Sequence, residues 1–496
     1  MRIIFFIILL SVINTAQSIE GIDSIRTKKI PQTNLSELRN ELNYVFNDPN
    51  FSNAYWGVSI QSLKTGETIF KLNEDKLFKP ASLVKLFTSS TALLLLGSDY
   101  RFETKFYTDG KISNGILFGN LFIVGSGDPT IQTGHEEQSP DNFVEWVDSL
   151  NKLGIYSIKG NVIAENKLFS EDDYGKGWLN EYESNWFAPP TGAFCLNNNS
   201  TELIIKPGKI NQFAEIIFNP SVSDFEVFNN VITVKENLKP SVTISRKGNN
   251  IIQLNGSISS KSDKIIFYIP SKNPTQFFVN TFYNVMVQEG LTITGYPIIS
   301  DEHTEKYQLN ELLLLFTHKS QPLSQIVSEI NKNSNNFFSE QLLKTIGFEL
   351  YGFGSTQNGI TAMKELLQKM GINPANFEIA DGSGLSTFNL VTPKQVTNLL
   401  YYMYKSDEFD SFYNSLAIAG FDGTLADRMK KTKAENNFRG KSGFLENVRG
   451  LAGYLKTADG EPIALTLIVN NFLVPSQLAN YVQDKVCNIL SNFNRK

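Results

Sequence analysis

Leu35, Leu38, Leu42, Val45 and Phe46 recur at helical spacing, so the pattern predicts a helix over 35–46. Trp56–Leu63 and Thr68–Leu72 then flank the turn Lys64-Thr65-Gly66, which reads as a β-hairpin. Pro80-Ala81-Ser82 opens a strongly apolar helix, and Gly97 marks its end, glycine being the usual residue there. From about Ser98 to His303 the texture changes to short alternating runs between turn residues. Runs 121–124, 242–245, 251–254 and 265–269 read as strands, and helical patterning is sparse apart from Phe143–Leu153 and Pro274–Glu289. Helical periodicity returns over Pro322–Ile330, Asn336–Ile346, Gly359–Met370, Pro393–Lys405 and Thr424–Met429. A second hairpin follows, Leu451–Leu455 and Ile463–Val469 around the turn dipeptide Asp459-Gly460, and a last helix runs near Pro475–Leu490.

This order suggests a split domain. The two terminal hairpins are expected to share one antiparallel sheet with helices on its faces, an α/β arrangement of the α+β kind. The β-rich middle is expected to be an insertion of one or two domains. The expected boundaries are 1–18 for a leader, 30–97 and 308–496 for the two parts of the split domain, and 98–307 for the insertion. The leader is read from Arg2 followed by the apolar run Ile3–Val12 and the small residues Ala16 and Ser18. It fits a cleaved secretory signal and is short for a membrane span of about 20 residues. An exported, soluble mature chain with no transmembrane segment is therefore expected.

Composition narrows the chemistry. The 496 residues are 41% hydrophobic, ample for several cores, and the net charge of -5 excludes a globally basic nucleic-acid binder. The two cysteines, Cys195 and Cys487, form no CxxC pair, so zinc ribbons and iron–sulfur sites are excluded. They leave room for one disulfide or two buried thiols. Only His135, His303 and His318 are present, with no HExxH, so a histidine base has few candidates and zincins are excluded.

A different base is on offer. Ser82-Leu83-Val84-Lys85 places a hydroxyl and an amine one helical turn apart, near a helix N-terminus that favours developing negative charge. The lysine can act as a base only if burial or nearby positive charge lowers its ordinary pKa of about 10.4. Ser149–Lys152 shows the same spacing, so the motif alone has little weight. Ser334-Asn335-Asn336 lies between two helical segments, where a hydroxyl and an amide can face a cleft; Ser271-Lys272-Asn273 is its decoy. Lys441-Ser442-Gly443 heads a strand-rich segment, where a cation and a hydroxyl beside a glycine can hold a carboxylate; Lys64-Thr65-Gly66 is the decoy there.

Taken in order, Ser82–Lys85, Ser334–Asn336 and Lys441–Gly443 resemble the three motifs of serine penicillin-recognising enzymes. The flanking runs Asp381-Gly-Ser-Gly-Leu-Ser, Asn389-Leu-Val-Thr-Pro, Gly420-Phe-Asp-Gly-Thr-Leu, Val448-Arg-Gly-Leu-Ala-Gly-Tyr and Gly125-Ser-Gly-Asp-Pro-Thr narrow the match. Over about residues 35–493, with its large insertion after the first motif, the chain resembles the D-Ala-D-Ala carboxypeptidase/endopeptidases among the class C low-molecular-mass penicillin-binding proteins.

The resemblance implies a penicillin-binding/β-lactamase-like fold and a periplasmic serine DD-peptidase acting on peptidoglycan stem peptides, with β-lactams as substrate mimics and no cofactor or metal. It implies that Ser82 is the nucleophile and Lys85 its base, with Ser334 relaying a proton and Asn336 orienting Lys85 and substrate. Lys441 and Ser442 would bind the terminal carboxylate, with Lys441 also helping to keep Lys85 neutral. The backbone N–H groups of Ser82 and Phe444, beside Gly443, would form the oxyanion hole. Phe444 stands where a small hydroxyl residue is commoner, and Thr387 where many relatives carry an arginine. Glu181 is the candidate acidic partner from the inserted part, and Asp128 is expected to be a turn residue. A β-lactamase or esterase of the same fold is disfavoured by the long insertion, and a non-catalytic scaffold by the three intact motifs.

Overall fold

The computed structural model describes residues 34–134, 141–171, 175–179, 187–221, 225–235, 241–248, 250–300 and 309–495. The expected leader, His135, His303 and Glu181 lie outside the described residues.

The organising element is a six-stranded antiparallel sheet drawn from both ends of the chain. Its order is Ala417–Ile418, Arg439–Leu445, Val448–Lys456, Pro462–Asn470, Tyr55–Ser62, Thr68–Leu72. The two terminal hairpins meet where Tyr55 stands opposite Asn470 and Ser62 opposite Ile463.

The helices are α1 Leu35–Phe46, α2 Val84–Leu96, α3 Asn142–Lys152, α4 Pro274–Gln288, α5 Leu323–Lys332, α6 Asn336–Tyr351, α7 Thr356–Lys369, α8 Pro393–Tyr404, α9 Phe409–Ser415 and α10 Ser476–Asn492. Strand periodicity sorts them into layers. Leu465, Leu467 and Val469 face one side of the sheet and pack with Leu38 and Leu42 of α1 and Val486 and Leu490 of α10. Ala464 and Ile468 face the other side and join α2, α5, α6, α7 and α8.

At the centre of that second layer is α2, buried without a break from Val84 to Leu93. Each large apolar side chain so buried contributes about 1.5–3 kcal/mol. A lysine in this run is therefore exceptional.

Between the two parts of the six-stranded sheet the described residues build four more sheets. A five-stranded sheet, ordered Pro297–Ile299, Val162–Glu165, Leu121–Val124, Glu103–Thr108, Leu313–Lys319, is covered by α3 and α4 through Phe143, Trp146, Phe278 and Phe282. Two three-stranded sheets enclose a small core of Leu203, Ile205, Val231, Ile252 and Leu254.

One local expectation is corrected, and two further features were not anticipated. Thr424–Met429 is not a helix: only the 3-10 turn Gly423–Leu425 forms, and Met429 takes a φ of +59°. Two apolar residues four apart imitated helical spacing there. The seven-residue α9 was not anticipated, because it buries only Phe412 and Ser415 and is too short to show a period. Several pairs in the middle region are parallel, such as Leu121–Val124 with Val162–Glu165; both strands are buried on both faces, which erases alternation. Both cysteines are free buried thiols.

Candidate active site

The chain from Pro80 enters α2 through the tight 3-10 turn Ala81–Leu83, with Ala81 at φ +50°. That backbone costs an alanine about 1–2 kcal/mol and persists only where packing fixes it. Two glycines allow the fixing. A Cβ on Gly384 (φ +88°) would stand 2.0 Å from the Ala81 carbonyl oxygen and 3.0 Å from the Ser82 nitrogen. A Cβ on Gly443 would stand 2.8 Å from the Pro80 carbonyl oxygen and 3.4 Å from the Ser82 nitrogen. The turn bearing Ser82 is thus clamped between the 381–386 loop and the strand Arg439–Leu445, and neither neighbour has room for a side chain.

Lys85 follows one turn on, with no exposed surface. Its Nζ lies 3.1 Å from Ser82 Oγ, 2.6 Å from Asn336 Oδ1 and 2.6 Å from the Ser383 carbonyl oxygen. A neutral amine has two N–H groups and one lone pair. The Asn336 and Ser383 oxygens accept the two hydrogens, so the third direction, the lone pair, faces the Ser82 hydroxyl. Burial pulls the Lys85 pKa down to about 7, against the opposing pull of the Asp381 and Glu340 carboxylates. Of the two expected causes, burial and nearby positive charge, burial is the main one.

Asn336 is the first residue of α6, and Asn335 caps that helix by accepting from Phe338 N–H. The Asn336 amide is tied at both ends: Oδ1 to Lys85, and Nδ2 donating to the Phe187 carbonyl at 2.9 Å. Ser334 is half-buried and turns the chain from α5 into α6 at φ +60°. Lys441 is fully buried on its strand and donates to the Ser442 carbonyl at 2.8 Å. Burial, then the charge of Lys85, lowers its pKa well below the ordinary lysine value. Ser442 Oγ donates to Thr424 Oγ1 at 2.8 Å. Phe444 is 67% exposed, with the Arg449 guanidinium 3.8 Å from its ring centroid. Thr387 turns its hydroxyl to the Gly177 carbonyl.

The decoys resolve differently. Ser149 bonds back to the Glu145 carbonyl of its own helix, Asn273 caps α4, and Gly66 makes the hairpin turn at φ +76°. Asp128 closes a turn by accepting from the Thr130 N–H and hydroxyl.

A profile of the D-Ala-D-Ala carboxypeptidase 3 (S13) family matches residues 38–492. The chain belongs to that family. It is accordingly a serine D-Ala-D-Ala carboxypeptidase. The D-alanyl-D-alanine carboxypeptidase DacB of Haemophilus influenzae is 29% identical over 448 residues, 88% of each chain. The D-alanyl-D-alanine carboxypeptidase of an Actinomadura species is 27% identical over 471 residues, 92% of this chain and 85% of that one. The crystal structure of penicillin binding protein 4 from Haemophilus influenzae superposes with a TM-score of 0.75 at 27% identity, covering 92% of this chain and 98% of that one; the same protein is solved with a β-lactam.

Reading the motifs alone missed several groups around the lysine of this carboxypeptidase. The Ser383 carbonyl is one, and Asp381 is another. Asp381 accepts from Gly384 N–H (2.8 Å), Ser386 N–H (2.6 Å), Asn389 Nδ2 (2.8 Å) and Trp178 Nε1 (2.8 Å), which fixes the whole loop. The Asp-Gly-Ser-Gly run carried a signal, since a carboxylate before glycines commonly folds the backbone onto itself. Glu340 is the third. Its signal was the four-residue step from Asn336, which places both on one face of a helix.

Proposed function

We propose that this carboxypeptidase works through an acyl-enzyme on Ser82, formed with peptidoglycan stem peptides as substrates and with β-lactams as their mimics. The observation that supports this most is the wholly buried Lys85, its pKa near 7, aimed at the Ser82 hydroxyl. In the first step Lys85 takes the Ser82 proton as Oγ attacks the carbonyl of the penultimate D-alanine. The backbone N–H groups of Ser82 and Phe444 receive the developing oxyanion. The C–N bond then breaks, and the proton passes through Lys85 and Ser334 to the amine of the departing D-alanine. Water, deprotonated by Lys85, adds to the ester; the acid leaves and Ser82 regains its proton.

Lys441 and Ser442 receive the substrate carboxylate. Burial and the charge of Lys85 disfavour the charged form of Lys441, and an incoming carboxylate would supply the counter-charge that favours it. Gly443 leaves room for substrate backbone beside the strand. Thr387 and Glu181 belong to the part that reads the donor peptide, with Thr387 supplying a hydroxyl where an arginine is common. The same acyl transfer would cut a D-amino-acid crosslink, giving endopeptidase activity. The reading places the protein outside the cytoplasm, in the periplasm, with 1–18 as its signal segment and 98–307 as an insertion in a split catalytic domain. Among the described residues no helix is long and apolar enough to cross a membrane.

The test is intact-mass spectrometry after exposure to penicillin. A stoichiometric adduct on the native chain and none on Ser82→Ala are expected, with slow release of the adduct. An unlabelled native chain that also releases no D-alanine would refute the proposal, and rapid turnover of penicillin would point to a β-lactamase instead.

A further inference from the structure

The three acceptors around Lys85 are not equally easy to hold in place. Ser82 and Asn336 are side chains on helical turns. The third is a backbone carbonyl, Ser383, in a loop rich in glycine. Something must stop that peptide from rotating, because the direction of the Lys85 lone pair depends on it.

Glu340 fixes the backbone that leads into it. It lies on α6 one turn after Asn336 and is buried. Its Oε1 accepts the Ser383 N–H at 2.8 Å, and both oxygens accept the Gly382 N–H, at 3.1 and 3.0 Å. The two peptides held by the carboxylate, 381–382 and 382–383, lead directly into Ser383, whose carbonyl accepts from Lys85 Nζ; the peptide that carries this carbonyl is held on its other side, where Gly384 N–H donates to Asp381 Oδ1 at 2.8 Å. A single helix therefore acts on the lysine twice: directly through Asn336, and through the backbone leading into the Ser383 carbonyl by way of Glu340.

We propose that Glu340 is a positioning residue of the reaction, fixing the Gly382–Ser383 backbone so that the Ser383 carbonyl stays against Lys85 and the amine lone pair points at Ser82. The role rests on the acyl-enzyme reading above. Glu340 also supplies charge. The charged groups around Glu340 are Lys85 on α2 and Asp381 on the loop, with Lys441 on the strand Arg439–Leu445 acting on Lys85 and Lys344, one turn further along α6, lining the same cavity as Glu340. Negative charge at Glu340 favours protonated Lys85, while burial and the Asp381 carboxylate push the Glu340 pKa up to about 7, so the two groups titrate together and set where the base becomes available as pH rises.

The experiment is the pH profile of penicillin acylation, by stopped-flow or quenched mass spectrometry, in the native chain, Glu340→Gln and Glu340→Asp. In Glu340→Gln the plateau rate should fall roughly 10- to 100-fold, because a misdirected lone pair reacts poorly. Its acid-side midpoint should also move down by about one pH unit, because a charge that favours Lys85-H⁺ has gone. Glu340→Asp keeps the charge, so its midpoint should stay near the native one while its rate falls. A folded Glu340→Gln with native rate and native midpoint overturns the proposal, and so does one with a lower rate but an unmoved midpoint, which would mark Glu340 as merely structural. If Glu340→Gln does not fold, Glu340→Asp decides: a native rate overturns the proposal, and a reduced rate at the native midpoint supports it. A native chain that is not acylated at all would count against the acyl-enzyme reading rather than against Glu340.

Discussion

Lys85 Nζ stands 3.1 Å from Ser82 Oγ, the lysine sealed from solvent and the serine at the sealed region's edge. In the proposed mechanism the pairing lets a side chain that is ordinarily charged act as a base near neutrality. The cost of burying it is limited by the two oxygens, from Asn336 and Ser383, that accept its hydrogens.

The acylation rate should therefore depend on pH with a recognisable sign. The folded-state pKa of Lys85 is lowered to about 7, so the amine is protonated and inactive below that pH and free above it. The rate of penicillin acylation should rise tenfold per pH unit on the acid side, bend near pH 7 and level off above. A profile flat from about pH 5 to 9 would exclude Lys85 as the base.

Asn336→Ala removes an acceptor for Lys85 and a donor to the Phe187 carbonyl. The acylation rate should fall about 100-fold, since a side chain that orients a reacting group is lost. Unfolding in urea should show a loss of about 1–3 kcal/mol for the buried groups left unpaired.

Gly384→Ala tests the clamp on the nucleophile turn. Its φ of +88° and the 2.0 Å approach to the Ala81 carbonyl oxygen leave no place for a methyl group. A stability loss of roughly 3 kcal/mol or more is expected, read as a lowered urea midpoint, together with loss of acylation.

Phe444→Thr separates backbone from side chain. The ring is mostly exposed and its one strong partner is the Arg449 guanidinium, so stability should drop by only about 0.5–1 kcal/mol. Acylation should stay within about tenfold of native, because the backbone N–H of residue 444 remains. A loss beyond about a thousandfold would show that the ring itself shapes the cleft.

How much of this could be read from residues alone depends on distance along the chain. α1 carries its apolar positions at regular steps and a capping Asn34, so its bounds followed from local rules. The hairpins were equally local. The ends of α6 were not: its apolar pattern fades after Ile346, yet the helix continues to Tyr351 because Gly352, at φ +75°, is what stops it. For the site, the Ser82–Lys85 step is visible in one helical turn. Its union with Asn336 spans 251 residues, and no periodicity carries that information; only the resemblance of ordered motifs suggested it. Glu340 escaped notice because a carboxylate on a helix usually faces water, and burial is a property of the assembled layers. Ser383 escaped because it acts through its carbonyl, which any residue possesses.

The strand Tyr55–Ser62 finds its neighbour at Pro462–Asn470, some four hundred positions later. While a ribosome is still making the chain, Ser82 exists without its enclosure: the strand with Lys441 and the sheet's central member have not yet emerged. An unfinished chain would carry the hydroxyl and the amine in a wet, ordinary setting, where a lysine stays charged. Reactivity toward acyl donors should thus switch on late, as an outcome of complete synthesis.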